Sequence, residues 1–220
     1  MQVWQRDRDF SLGHRFFLLP SEDAHAGSNS CPLRILSLRS HGHPSGELYR
    51  VEAAQPRADV ELIDAKAVGL PMLDRMYKEH SPGAAPPAMH ALATKIKTAD
   101  AFVFVTGEYN WGMQPGLKNL TDHFLEEWFW RPGAIASYSS GRFSGVRSGA
   151  TWHGTLSEMG MVVISSALAV GPIADALGPD GEPTGPSGDA LEQAFVRFAD
   201  DLAWWTEAAK AQRARKPTPY

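Results

Sequence analysis

Apolar and polar positions alternate in blocks along the 220-residue chain, and these blocks predict a repeated succession of strand and helix. Five short apolar runs are candidate strands: Leu33–Leu38, Val60–Ile63, Ala101–Val105, Ile135–Tyr138 and Met161–Ile164. The third run is apolar at every position, which is typical of a strand buried on both faces of a parallel sheet. We therefore expect Ala101–Val105 at the centre of the sheet.

Helical spacing appears between these runs. Four groups of apolar residues recur three or four positions apart and predict helices: Met89, Leu92 and Ile96; Leu117, Leu120 and Phe124; Trp152, Leu156 and Met159; and Leu191, Phe195, Phe198 and Leu202. Pro87 and Pro115 mark two helix starts, and Asp189 with Glu192 is expected to cap the last helix. The alternation favours right-handed crossovers and a doubly wound α/β sheet of five parallel strands with helices on both faces.

The chain is expected to contain one domain. Residues 1–30 show no sustained period and predict an N-terminal arm, in part disordered, while residues 31–220 carry the strand and helix pattern. The Gly- and Pro-rich stretch Gly178–Gly188 predicts a loop before the last helix.

Charge and cysteine content narrow the range of partners. A formal net charge of −4 offers no basic surface for a nucleic acid, so small molecules are the expected partners. Cys31 is the single cysteine, which excludes an internal disulfide and suits a reducing cytoplasm. The apolar run Phe16–Leu19 is too short for a signal peptide, and no run is long enough for a membrane span. We therefore expect a soluble, cytoplasmic protein.

In a doubly wound sheet a ligand lies outside the carboxyl ends of the strands, so the loops after the first, third and fourth strands are the candidate site. After the third strand the chain reads VTGEYNWGMQPGLKN, from Val105 to Asn119. This segment resembles the NADPH-dependent FMN reductase family, which has Thr-Pro-Glu-Tyr-Asn, a glycine, and a proline before Leu-Lys-Asn. Gly107 replaces the usual proline. The resemblance covers residues 32–215 and implies a flavodoxin-like fold, FMN as cofactor, and NADPH or NADH as co-substrate.

The loop Glu108–Gly112 has the chemistry that a flavin ring needs. An isoalloxazine is flat and mostly apolar with one polar edge, so its site offers backbone N–H groups and an aromatic face. The resemblance implies that the backbone of Glu108–Gly112 contacts the ring, with Tyr109, Asn110 and Trp111 as contacts. The alternative is that the two aromatic residues only fill a turn. Glu108 is expected to brace the loop and is assigned no proton-transfer role.

The loop after the fourth strand reads SYSSGRFSGVRSG, from Ser137 to Gly149, and its small residues allow a ligand to approach the backbone. The resemblance implies contacts on the other side of the ring from Ser139, Ser140, Gly141 and Arg142. Arg142 or Arg147 could meet the phosphate of a nicotinamide nucleotide, although exposed arginines are more often solvated surface charges.

The loop after the first strand departs from the family. The family reads Gly-Ser-x-Arg-x-x-Ser-x-Asn and wraps the FMN phosphate with backbone N–H groups. Ser37 and Arg39 match, whereas Leu36, Gly42 and Pro44 stand where the glycine, the second serine and the asparagine are expected. Ser40 is a further candidate contact, and His41 and Ser45 are possible compensating donors. The expected phosphate cradle is therefore reduced.

Other chemistries have less support. His41 and His43 would need further metal ligands that no nearby cluster supplies, so no metal site is predicted. Lys118 and Asp122 fit a helix surface better than a catalytic pair. The dinucleotide pattern GxGxxG, a Walker loop and the hydrolase pattern GxSxG are all absent from the sequence. Binding residues are predicted, and no catalytic side chain.

The function predicted from these residues is an FMN-dependent oxidoreductase that passes electrons from NADPH or NADH to a small acceptor: a flavin, quinone, azo compound or metal oxyanion. Two alternatives remain, namely a flavin-binding electron carrier without nicotinamide turnover and a flavin-free interaction module. A homodimer or homotetramer is also expected, because the segment with Phe124, Leu125, Trp128, Phe129 and Trp130 holds more apolar surface than one helix face buries. The resemblance also implies dimers.

Overall fold

A parallel sheet forms the centre of the molecule. The computed structural model describes residues 31–37, 58–179 and 181–220. The strands are β1 (Cys31–Ser37), β2 (Ala58–Asp64), β3 (Ala101–Gly107), β4 (Pro132–Tyr138) and β5 (Val162–Val170), in the order β2-β1-β3-β4-β5. Every neighbouring pair is parallel. This strand order is that of flavodoxin-like folds, so the predicted α/β class with a parallel sheet is confirmed. The expected N-terminal arm lies outside the described residues.

Helices occupy the connections between the strands. They are α1 (Ala65–Val68), α2 (Pro87–Thr98), α3 (Pro115–Asp122), α4 (Val146–Glu158), α5 (Ile173–Ala176) and α6 (Gly185–Arg215), with 3₁₀ turns at Tyr77–Glu79 and Glu126–Trp128. Pro87 and Pro115 occupy the first turns of α2 and α3, as the sequence predicts. Proline fits there because its missing N–H has no helical acceptor in any case. Across the described ranges, no helix has the length and apolar content needed to cross a membrane.

Strand β3 is buried along its whole length and separates two apolar layers. Phe102 and Phe104 face the layer built with α2, α3 and α4, whereas Val103 and Val105 face the layer built with α5 and α6. In the first layer the Trp128 ring packs edge-on to Phe102, with 4.9 Å between their centroids. The predicted central position of this strand, with helices on both faces of the sheet, is confirmed.

The start of α6 differs from the prediction. The helix begins at Gly185, and its N-cap residue Thr184 makes no side-chain capping hydrogen bond. Asp189 and Glu192 lie inside the helix, so the prediction that they cap it is wrong. Pro186 is compatible with the first helical turn, which lets the helix begin within the stretch expected to be a loop.

The last strand is longer than its apolar run. Strand β5 continues from Val162 to Val170, although the run of large apolar residues ends at Ile164. Because β5 is an edge strand, one of its faces can carry small or polar side chains, and Ser165, Ala167 and Ala169 are exposed there. The buried residues Leu168 and Val170 alternate with these small exposed residues, so the second half of the strand has no continuous apolar run for sequence analysis to detect.

The aromatic segment after α3 is largely buried within one chain. Phe124 lies beyond the end of α3 at Asp122, contrary to prediction, yet only 1% of it is exposed; Trp128 is fully buried. The Trp128 indole N–H donates to the carbonyls of Thr121 and Phe124, at 3.3 and 3.1 Å. The sheet and α2 therefore bury Phe124 and Trp128, two of the side chains that appeared surplus, while Leu125, Phe129 and Trp130 are partly buried; the oligomer itself stays a prediction.

Candidate functional site

The three candidate loops leave the sheet at the same edge. Ser37, the last residue of β1, is in register with Val105 of β3, and Gly107 of β3 is in register with Tyr138 of β4. The carboxyl ends of these strands therefore lie side by side, as the sequence predicts for a ligand site. Arg39 and Ser40 of the first loop lie outside the described residues.

The loop after β3 makes a tight turn at Tyr109–Gly112. Tyr109 and Gly112 exchange backbone hydrogen bonds of 3.0 and 2.8 Å. The two residues between them are left-handed, with φ of 46° at Asn110 and 75° at Trp111. Two consecutive positive φ values are typical of a type I′ turn. Asparagine tolerates this conformation, whereas a bulky tryptophan pays about 1–3 kcal/mol of backbone strain.

An ion pair lies beneath the turn. Glu108 pairs with Arg147 from the first turn of α4, and only 6% of the Glu108 side chain is exposed. The Arg147 guanidinium also lies 4.1 Å from the centroid of the Trp111 ring and 4.6 Å from that of Phe143. Glu108 therefore faces into the protein, toward Arg147, while the Trp111 ring is 71% exposed.

The loop after β4 is held at both ends and open in its middle. Ser139 donates from its amide to Val170 and from its hydroxyl to the Gly141 carbonyl, at 3.2 and 2.9 Å. Ser140, Gly141 and Arg142 are exposed. A Cβ placed on Gly141 would meet no atom within 4 Å, so the space beside this backbone is open. Arg142 stacks on Phe143 at 4.8 Å.

Free backbone donors are present in both loops. In the part of the chain that the structure describes, the amides of Asn110 and Trp111 in the first of these loops make no hydrogen bond. The same holds for the amides of Ser140, Gly141 and Arg142. Exposed donors beside exposed aromatic rings can bind a flat ligand that has a polar edge.

A buried polar network supports the turn from below. Gln114 accepts a hydrogen bond of 3.2 Å from the Gly107 amide and donates one of 3.0 Å to the Tyr138 hydroxyl. A Cβ on Gly107 would lie 3.1 Å from the Tyr138 ring and hydroxyl. The missing side chain of Gly107 thus makes room for the phenol of the neighbouring strand.

A second buried network joins β3 to α4. The Thr106 hydroxyl lies 2.9 Å from the Ser148 hydroxyl and accepts a hydrogen bond of 2.9 Å from the Trp152 indole. All three residues are fully buried. Thr106 of the sequence motif therefore fixes α4, and with it Arg147, against the end of β3.

The end of the motif has structural contacts as well. Asn119 donates from its amide to the Pro71 carbonyl and accepts from the Leu73 amide, each at 2.9 Å, so it anchors the segment before α2. Lys118 and Asp122 form an i,i+4 ion pair on α3, as expected of a helix surface. Within the described ranges, no three His, Cys, Asp or Glu side chains are grouped to hold a metal ion; His41 and His43 lie outside these ranges.

Sequence reasoning missed much of what supports the site. It left Arg147 as an optional phosphate ligand and assigned no part to Gln114, Tyr138 or Ser148. One signal was available: a glycine at position 107 in place of proline indicates that a neighbour needs the space, but not which neighbour. The Glu108–Arg147 pair joins residues from separate elements, and only the fold brings them together.

Comparison with known proteins identifies the family. The family model for NADPH-dependent FMN reductases matches residues 37–175. An NAD(P)H-dependent FMN reductase of Schizosaccharomyces pombe is 42% identical over 100 residues, which are 42% of this chain and 46% of that protein. A probable NADPH:quinone oxidoreductase of Oryza sativa subsp. japonica is 36% identical over 119 residues, 51% of this chain and 58% of that protein. The chain thus spans about half the length of these relatives.

Solved structures show the same fold. The flavoenzyme FerB of Paracoccus denitrificans, an NAD(P)H:(acceptor) oxidoreductase, superposes with a TM-score of 0.62 at 22% identity, covering 79% of this chain and 97% of its own. An oxidoreductase of Corynebacterium diphtheriae gives a TM-score of 0.60 at 16% identity, covering 82% and 99%. The superposed region covers nearly the full length of both proteins, so this chain shares their fold. Because the family model matches more than half of the sequence and includes the loops after β3 and β4, the chain belongs to the NADPH-dependent FMN reductase family.

Proposed function

We propose that this protein is an FMN-dependent NAD(P)H oxidoreductase that passes electrons to a small acceptor such as a quinone, flavin, azo compound or metal oxyanion. Family membership supports the class of reaction, and the relatives named as FMN and quinone reductases support the donor and the kind of acceptor. FMN supplies the hydride-accepting ring when it is bound.

The observation that carries the proposal is the pair of loops with unpaired amides at the carboxyl edge of a flavodoxin-like sheet. The free amides of Asn110 and Trp111 fit the polar edge of the isoalloxazine, and those of Ser140 and Gly141 fit its other side. The open space beside Gly141 allows close approach of the ring. The residues present therefore fit the ring half of FMN; those expected at the phosphate, Arg39 and Ser40, lie outside the described residues.

In this assignment the protein binds and orients, and moves no proton. Glu108 is buried against Arg147, so it is a partner of the loop itself and faces no substrate. The exposed Tyr109 and Trp111 rings give a stacking surface for a second flat molecule beside the flavin. Arg142 is exposed on the opposite loop and could attract the phosphates of the nicotinamide nucleotide.

The test is whether the purified protein carries flavin and uses it. We expect a yellow protein that releases FMN on denaturation, or a colourless one that FMN titration converts into an enzyme oxidising NADPH or NADH with a quinone or ferricyanide. A colourless protein that FMN neither binds nor activates would reject the proposal. In that case the flavin-free interaction module, which the altered first loop favours, becomes the better function. Flavin binding without nicotinamide turnover would instead indicate an electron carrier.

We also propose that the protein is a cytoplasmic homodimer or homotetramer. The single cysteine supports a reducing compartment. The support for self-association now comes from α6, where Trp204 is 64% exposed and packs edge-on against Trp205. Light scattering at micromolar concentration tests this, and a monomer would contradict it.

A further inference from the structure

We propose that Arg147 is a positioning residue, which fixes the flavin-contacting turn Tyr109–Gly112 and its distance from the loop after β4. Its function here is different from binding a nucleotide phosphate. The inference rests on the proposed function in so far as the turn contacts FMN. The clamp that it describes, however, is a property of the protein without cofactor.

The turn needs an external support. Trp111 adopts φ of 75°, a conformation that a bulky side chain rarely takes, and the Tyr109 and Gly112 bonds close only one small ring of backbone. The Trp111 side chain is 71% exposed, so burial in a core does not hold it. In the described part of the chain, the ring of Trp111 contacts the Arg147 guanidinium, which lies 4.1 Å from the ring centroid.

Arg147 joins three separate pieces of the site. It pairs with Glu108 at the base of the turn, stacks on Trp111 at the tip, and stacks on Phe143 in the opposite loop at 4.6 Å. Arginine suits this position because its planar guanidinium can stack on rings while it binds a carboxylate in its own plane. The turn after β3 and the loop after β4 are thereby both tied to the start of α4.

The charge of Arg147 is already paired inside the protein: one amino group of the guanidinium pairs with Glu108, Nε is buried, and 28% of the side chain is exposed. Only 6% of the Glu108 side chain is exposed, and among the described residues Arg147 is the cation that pairs with it, so removal of Arg147 would leave a buried carboxylate without this partner. Arg142, in contrast, is exposed and stacks on the Phe143 ring. Of the two arginines, Arg142 is therefore the one available to a nucleotide phosphate, and Arg147 belongs to the framework.

The test compares Arg147→Met and Arg147→Lys with wild type. The methionine keeps the length of the side chain and loses the charge, whereas the lysine keeps the charge and loses the planar stack. Lys118→Met is the matched control, because it removes a cation from another carboxylate pair close to the same loop. Thermal melting establishes that each variant folds. If Arg147→Met does not fold, Arg147→Lys is used for the measurements in its place.

Hydrogen exchange of the cofactor-free protein is the first readout. We expect the hydrogen-bonded amides of this segment, those of Gly107, Glu108, Tyr109 and Gly112, to exchange at least about tenfold faster in Arg147→Met, with a smaller increase in Arg147→Lys and none in Lys118→Met. Exchange rates in this segment equal to those of wild type would overturn the proposal. This comparison remains decisive even if the protein binds no FMN, an outcome that would reject the proposed function alone.

Ligand affinity is the second readout. We expect FMN affinity to fall by about tenfold or more in Arg147→Met, and the visible circular dichroism of the bound flavin to change, because the turn no longer holds its amides in place. A variant with unchanged FMN affinity and a raised KM for NADPH would identify Arg147 as a phosphate ligand and refute the positioning role.

Discussion

Restoring the proline that the family has at position 107 should destabilise this protein. The Gly107 amide donates to Gln114 Oε1 at 3.2 Å, and proline has no N–H to donate. Gln114 is fully buried, and loss of this buried hydrogen bond costs about 0.5–1.5 kcal/mol.

The added ring atoms also meet a side chain that has little room to move. A Cβ at position 107 would already lie 3.1 Å from Cζ and from the hydroxyl of Tyr138, and 3.2 Å from Nε2 of Gln114. Tyr138 is 7% exposed and is hydrogen-bonded through its hydroxyl, so crowding costs about a further 1–3 kcal/mol. We expect Gly107→Pro to lower the free energy of unfolding by roughly 1.5–4.5 kcal/mol.

Gly107→Ala separates the two effects, because alanine keeps the amide donor and adds only the Cβ. Its expected cost is about 1–2 kcal/mol, less than that of the proline. Urea denaturation of both variants measures the difference, and each kcal/mol should lower the Tm by roughly 2–4 °C in a domain of this size. A proline variant as stable as wild type, or more stable, would refute the idea that Gly107 makes room for Tyr138 and supplies a donor to Gln114.

Three further variants test other parts of the structure. Arg131 donates hydrogen bonds to the carbonyls of four residues. Burial, and after it the charge of Arg213, lowers the pKa of Arg131 to about 10, so the side chain is still cationic at neutral pH. Arg131→Met should lower the free energy of unfolding, measured by urea denaturation, by about 2–4 kcal/mol. Burial opposes the charge of Asp201, but hydrogen bonds from Ser166 and its neighbours outweigh burial and hold the pKa of this carboxyl below its ordinary value. The stability that wild type gains over Asp201→Asn should therefore be full above about pH 4 and should shrink as the pH falls below it; a difference independent of pH would contradict this. Trp111→Ala should weaken FMN binding or nicotinamide turnover and leave the Tm within about 2 °C of wild type, since the side chain is largely exposed; a large loss of stability would show that the ring packs as core.

The sequence predicts the fold well where the local pattern and the tertiary environment agree. Strand β3 is apolar at every position because both of its faces are covered, and the structure buries all of it. Prediction fails where tertiary context decides. Strand β5 continues to Val170 because an edge strand tolerates small exposed side chains such as Ser165 and Ala167. In the segment after α3, α2 and the sheet bury Phe124 and Trp128, although the sequence suggested that this segment had more apolar surface than one chain can bury.

The residues of the motif that indicates the family form two sets, one with side chains that face inward and one with side chains that face outward. Thr106, Glu108 and Gln114 face inward and bind Ser148, Arg147 and Tyr138, all from β4 or α4. Tyr109 and Trp111 face outward and are exposed. The sequence shows these residues as neighbours in one motif. It cannot show that some of them contact β4 and α4 while others face the solvent. Residues of the inward set should therefore lower stability and FMN affinity together when they are changed, because the turn depends on the strand and helix beneath it, whereas those of the outward set should lower affinity alone.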